Sequence, residues 1–169
     1  MMRLDVARLK RSPGDSARYD LAADLPPLDI SGEIIAFVGP VKAVLAVSNT
    51  GEVIEVEGTA DGKLELSCSR CLKRFIYDFQ APVDEKYSLA QDGGNEEIPS
   101  VTGDFIDIAP AVLNSIYLAL PMKAVCVEGC QGLCPVCGRN LNEGRCGCAA
   151  EDIDPRMSVL KELLKKDDN

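Results

Sequence analysis

Eight cysteines and no histidine constrain this chain more than any other feature of its 169 residues. The cysteines fall in four close pairs: Cys68/Cys71, Cys126/Cys130, Cys134/Cys137 and Cys146/Cys148. Closely spaced thiols on turn-rich sequence suit a tetrahedral zinc ion. A disulfide framework is the rival, and it needs an oxidising compartment. The N-terminus Met1-Met2-Arg3-Leu4-Asp5 has no apolar run of the signal-peptide kind. No stretch approaches the ~18 apolar residues of a membrane span. The expectation is therefore a cytoplasmic protein, in a reducing medium where clustered cysteines mean metal, without membrane association.

Spacing proposes how the ligands divide. Cys134-Pro135-Val136-Cys137-Gly138 has a glycine that permits the tight backbone of a zinc knuckle. Cys146-Gly147-Cys148 follows after a loop of eight residues. Those four cysteines make a zinc-ribbon-like unit too short to have a core, which would fold only on metal. Cys68-Ser69-Arg70-Cys71 and Cys126…Cys130 are then each two ligands short, and the economical pairing puts them around a second zinc. The alternative groups Cys126, Cys130, Cys134 and Cys137 and leaves the outer pairs loose, and spacing alone does not decide between them. Two structural zinc ions per chain are expected, because four protein ligands leave no open position for water or substrate.

The rest of the chain reads as α+β. Leu4–Leu9 alternates as an edge strand, while residues 11–33, rich in Pro, Gly and Asp, read as loops. Strands follow over Ile34–Val38 and Val41–Val47, then a turn at Asn49-Thr50-Gly51, then an alternating strand from Glu52 to Glu57. Asp61-Gly62 carries a hairpin signal, with Lys63–Ser67 as the returning strand. Phe75, Tyr77 and Phe79 alternate after the first cysteine pair, and the strand continues through Val83 towards Leu89. The pattern is an antiparallel β meander or partial barrel. One main helix packs on it, from Ile108 to Leu120, with Ile108, Val112 and Ile116 four apart. Asp107 is its expected cap, Pro110 lies in its first turn and Pro121 ends it. A short terminal helix begins at Asp154-Pro155 and runs to about Lys166. The expected division is a sheet domain over residues 1–124 and a cysteine-rich segment with the terminal helix over residues 125–169.

Charge narrows the function. The formal net charge is −9, and four-thiolate zinc centres make it more negative. That is the wrong sign for a protein that coats nucleic acid. Basic residues are local: Arg70, Lys73 and Arg74 flank the first cysteine pair, and a second group lies within residues 3–18. Residues 84–107 hold seven acids against Lys86 alone, with Gln91–Ser100 as an acidic loop. Without histidine the chain lacks the commonest general base and the Ser-His and Cys-His nucleophile pairs. It also has no Gly-rich phosphate loop. Enzymatic activity and a small-molecule substrate are not expected.

Several motifs occur in a set order: S-C-S-R-C-L, an acidic loop, D-I-A-P…L-A-L-P, C-V-E-G-C-Q-G-L-C-P-V-C-G-R-N-L-N, C-G-C and D-P-R. In this order the chain resembles the YceD family, the large ribosomal RNA subunit accumulation proteins, from about Ile30 to Leu164. The resemblance implies a ribosome-biogenesis factor tied to accumulation of large-subunit (23S) ribosomal RNA, in bacteria and in plastid relatives. Its implied partner is pre-ribosomal RNA or a large-subunit ribosomal protein, and the resemblance brings no catalytic residues with it. One departure is Asn114-Ser115 in the main helix, where the family pattern leads one to expect acids. A basic surface at Arg70, Lys73 and Arg74 is the expected contact. Two other functions fit the same residues: a zinc-thiolate redox sensor, and a protein-interaction domain that never touches RNA.

Overall fold

The structure is a computed structural model that describes residues 2–30, 32–90 and 98–148. The expected terminal helix lies outside the described residues, as does most of the acidic loop. The chain divides into two compact units. The first is Met1–Ser69 with Lys73–Cys126, and the second is Arg70–Leu72 with Val127–Asn169.

The first unit is mostly antiparallel sheet with one helix. In chain order it comprises β1 (Arg3–Asp5), a 3-10 turn (Leu9–Arg11), β2 (Ser16–Ala23), β3 (Leu28–Ile30), β4 (Glu33–Phe37) and β5 (Val41–Asn49). There follow β6 (Val53–Ser67), β7 (Arg74–Ser88), β8 (Phe105–Asp107) and the helix α1 (Ala109–Ala119). β6 is the central strand. One edge pairs with β7 along its whole length, from Val53↔Ser88 to Ser67↔Arg74. A strand has two edges, so β5 and β4 share the other: β5 pairs with residues 54–61, and β4 with Leu64 and Glu65. β2 adds outside β5, and β3 outside β4. β1 and β8 make a separate two-stranded sheet.

Period-two alternation builds the core. Val41, Ala43, Leu45 and Val47 of β5 are fully buried, as are Ile54, Val56, Ala60 and Leu64 of β6. Phe79, Ala81, Val83 and Tyr87 of β7 point the same way. α1 packs against β7 and adds Val112 and Ile116, with Ile108 just ahead of it. Pro110 lies in its first turn and Pro121 follows its C-cap, Leu120. The N-cap residue is Ile108, one beyond the expected Asp107, whose Oδ1 accepts from the Ala109 amide at 3.2 Å. Asn49 is buried, and both ends of its side-chain amide are hydrogen-bonded. Its Nδ2 donates to the Leu9 carbonyl at 2.6 Å, and its Oδ1 accepts from the Gly51 amide at 2.7 Å. It thereby fixes the β5–β6 turn against the 3-10 turn.

Three expectations fail. The edge strand expected over Leu4–Leu9 is limited to Arg3–Asp5, and Leu9 opens the 3-10 turn. Asp61-Gly62 is no hairpin; both residues sit inside β6, which runs unbroken from Val53 to Ser67. The glycine answers a packing demand instead. A Cβ on Gly62 would stand 2.9 Å from the ring of Phe79, its cross-strand partner. Phe79 in turn meets Phe37 edge-on, with ring centroids 6.2 Å apart. Residues 11–33 are not all loop either, since β2 and β3 lie there. In β2 the alternation of Ala17, Tyr19 and Leu21, which pack on the core, is masked by the Pro, Gly and Asp around it.

Gly58 is the tightest point of the sheet. A Cβ there would stand 2.1 Å from the Val44 carbonyl oxygen and 2.9 Å from the Leu45 Cα, both backbone atoms of β5. Gly58→Ala should therefore cost about 3 kcal/mol and lower the melting temperature by roughly 10 °C in a calorimetric scan. A change under about 2 °C would show that the β5–β6 approach is looser than described.

Candidate metal centres

Each cysteine pair is delivered by a turn. Between β6 and β7 the chain reverses over Cys68–Lys73, and the Cys68 amide donates to the Lys73 carbonyl at 2.9 Å. Cys134–Arg139 repeats the device, its Cys134 amide donating to the Arg139 carbonyl at 2.8 Å. In both turns the residue after the second cysteine is left-handed: Leu72 at φ 60° and Gly138 at φ 72°. The glycine makes the second turn visible in the sequence. In the first turn, only the C-x-x-C spacing shows.

The thiols gather in two groups of four: Cys68, Cys71, Cys126 and Cys130, and Cys134, Cys137, Cys146 and Cys148. Within each group all four sulfurs lie within 4.8 Å of one another. This is the economical pairing from the sequence; the alternative centred on Cys126–Cys137 does not form. Tetrahedral thiolates at about 2.3 Å from a zinc ion would lie about 3.8 Å apart, so both groups fit such an ion. A disulfide framework draws sulfurs together in twos and gives no reason for fours. Either group could hold a metal ion. In the first, Cys68, Cys71 and Cys130 are buried and Cys126 is half-buried. The second is shallower, with Cys134 buried and Cys137 exposed.

Electrostatics of the second group point the same way. Backbone amides of Cys137 and Val136 donate to the Cys134 sulfur, and a further hydrogen bond comes from the Cys146 thiol. Together they hold Cys134 down to about 6. Cys148 is pushed up to about 12, first by its hydrogen bond with Cys137, then by burial and by Cys146. Cys134 is thus the thiol more readily deprotonated and Cys148 the one less readily deprotonated.

The expected basic contact is partly engaged within the fold. Arg70 Nη1 donates to the Cys130 carbonyl at 2.8 Å, and Arg74 Nη1 pairs with Glu65 at 2.9 Å. Lys73 is exposed at the end of the turn. Two further supports come from hydrogen bonds between residues distant in sequence. Ser69 donates from its amide and its Oγ to the Ala124 carbonyl, at 2.8 and 2.9 Å. Asn142 places its Nδ2 3.3 Å from the Cys130 sulfur. The N-L-N spacing after C-P-V-C-G-R was the only available signal for Asn142.

Comparison with known proteins now adds identity. A family model described as "Large ribosomal RNA subunit accumulation protein YceD" matches residues 56–164, which include all eight cysteines. The chain belongs to the YceD family. A Mycobacterium tuberculosis protein described as uncharacterized is 32% identical over 171 positions, covering 96% of this chain and 81% of that one. The uncharacterized protein YlbN of Bacillus subtilis is 27% identical over 99% of both chains. A Zea mays protein named large ribosomal RNA subunit accumulation protein YCED homolog 1, chloroplastic, is 38% identical over 90% of this chain and 64% of its own length. No solved structure matches the chain.

Within this YceD chain Leu72 is left-handed, 69% exposed and not glycine. That conformation costs an ordinary L-residue about 1–2 kcal/mol, of which glycine's extra unfolded-state freedom offsets about 0.5–1. Leu72→Gly should therefore raise the melting temperature by about 2–3 °C, and Leu72→Val should lower it. A fall with Leu72→Gly would show instead that the leucine side chain packs on the turn.

Proposed function

We propose that this protein supports accumulation of large-subunit ribosomal RNA as a ribosome-biogenesis factor that binds without turnover, each cysteine group holding one structural zinc ion. The carrying observation is the pair of four-thiol groups, each with its sulfurs within 4.8 Å. Four protein ligands complete a tetrahedral zinc and leave no position for a substrate. The second group, with its turn and the Leu133↔Asn140 bridge, would then be a zinc-ribbon-like unit. Zinc would supply charge neutralisation and cross-linking, and a reducing cytoplasm would keep the thiols available as ligands. The family name supports the biology. The lack of histidine supports binding over catalysis.

The contact with pre-ribosomal RNA is assigned to the basic end of the first turn, where Lys73 and Arg74 are exposed. Arg70, three residues before Lys73 in the chain, has its guanidinium anchored on the Cys130 carbonyl. A net charge of −9 disfavours non-specific coating, so binding should be local and weak on random RNA. Lys73→Glu with Arg74→Glu, leaving Arg70 intact, is the test. The double variant should keep its metal content, leave pre-ribosomal particles on a sucrose gradient, and fail to restore large-subunit rRNA in a deletion strain. Each lost phosphate contact should reduce the salt slope by about one. Full complementation by the variant would place the contact elsewhere.

A further inference from the structure

The loop between Cys137 and Cys146 belongs to the second cysteine group by its ends, yet its middle touches a ligand of the first. Asn142 Nδ2 donates to the Cys130 sulfur at 3.3 Å and to the Asn140 Oδ1 at 2.8 Å. Asn142 Oδ1 accepts the Gln131 amide at 2.8 Å. That last bond fixes the orientation of the carboxamide. A backbone N–H can only donate, so the oxygen must face Gln131 and the NH2 must face the sulfur. The loop backbone is held in place by the Leu141 amide donating to the Gly132 carbonyl at 2.9 Å and by the Leu133↔Asn140 bridge. Asn142 is itself exposed, so burial does not explain how fully its amide is used.

We infer, resting on the metal reading above, that Asn142 is a positioning residue that couples the two centres. A thiolate accepting an N–H bond carries less charge, is easier to keep deprotonated and is fixed in rotamer. With Cys137 and Cys146 tied to one ion, the loop that carries the donor would be pinned at both ends as well as by these hydrogen bonds. Metal in the second group therefore orients a ligand of the first. By linkage, metal in the first must favour metal in the second by the same factor. Loss of an outer partner of this kind costs about 10–100-fold in metal affinity, which sets the expected size of the coupling.

The test uses the full chain, stripped of metal and reloaded anaerobically with cadmium-113. Two cadmium resonances are expected. A proton–cadmium correlation should connect the Asn142 carboxamide protons to one of them, the resonance that Cys68→Ser removes. Chelator competition then reads the two affinities. Asn142→Asp retains the acceptor for Gln131 but replaces the donor with a charge; it should weaken the first group about 10–100-fold and, by the same linkage, weaken the second by a similar factor while the first is occupied. Cys148→Ser alters no ligand of the first group and should weaken it by a similar factor. If wild type loads two cadmium ions but shows no Asn142 correlation, and both variants release the first group's metal at the wild-type chelator concentration, the coupling is overturned and the metal reading survives. If wild type takes up no cadmium, the metal reading itself falls, and the coupling with it. The wild-type correlation needs no variant to fold.

Discussion

Four thiolates do not share so small a volume unless a cation sits among them. Two like charges about 4 Å apart cost roughly 4 kcal/mol at an effective dielectric near 20, and a group of four has several such pairs. In the second cysteine group, backbone amides hold Cys134 down to about 6, while a hydrogen bond with Cys137 and burial push Cys148 up to about 12. What the chain has assembled is two sets of four thiol donors, each able to hold a metal ion. Both turns, Asn142 and the support from Arg70 serve to hold those donors in place.

The two units depend on this constraint to different degrees. The first has an ordinary aliphatic core along β5, β6, β7 and α1, built on strict alternation and closed by Asn49. The second has almost none. Among its described residues the buried side chains are Cys71, Cys130 and Cys134, with Leu133 and Leu141 only half-buried. A unit whose buried side chains are candidate metal ligands would take a bound metal as its core. Within that unit, the hydrogen bonds to Asn142, Gln131 and Gly132 take over the positioning done elsewhere by apolar packing.

Much of this was legible from the sequence. The two C-x-x-C turns, β5 and the 109–119 helix follow from local spacing and periodicity, which the folded chain leaves unchanged; the division of the cysteines into two fours was one of two groupings that spacing left open. What escaped was set by neighbours distant in sequence. Asp61-Gly62 carries turn chemistry, but the Phe79 ring claims the space over Gly62 and keeps it in β6. Leu72 breaks the preference for glycine at a left-handed position, so nothing local marked its conformation. Arg70 was expected on a binding surface, and its partner is a carbonyl sixty positions away. Asn142 was one polar residue among several in a loop, until folding set its amide beside Cys130.

X-ray absorption at the zinc edge, on protein purified without chelator, tests the central claim most directly. The account predicts two zinc ions per chain, each with four sulfur neighbours at about 2.3 Å and no light-atom ligand. Fewer than one zinc per chain, or a first shell containing oxygen or nitrogen, would contradict it.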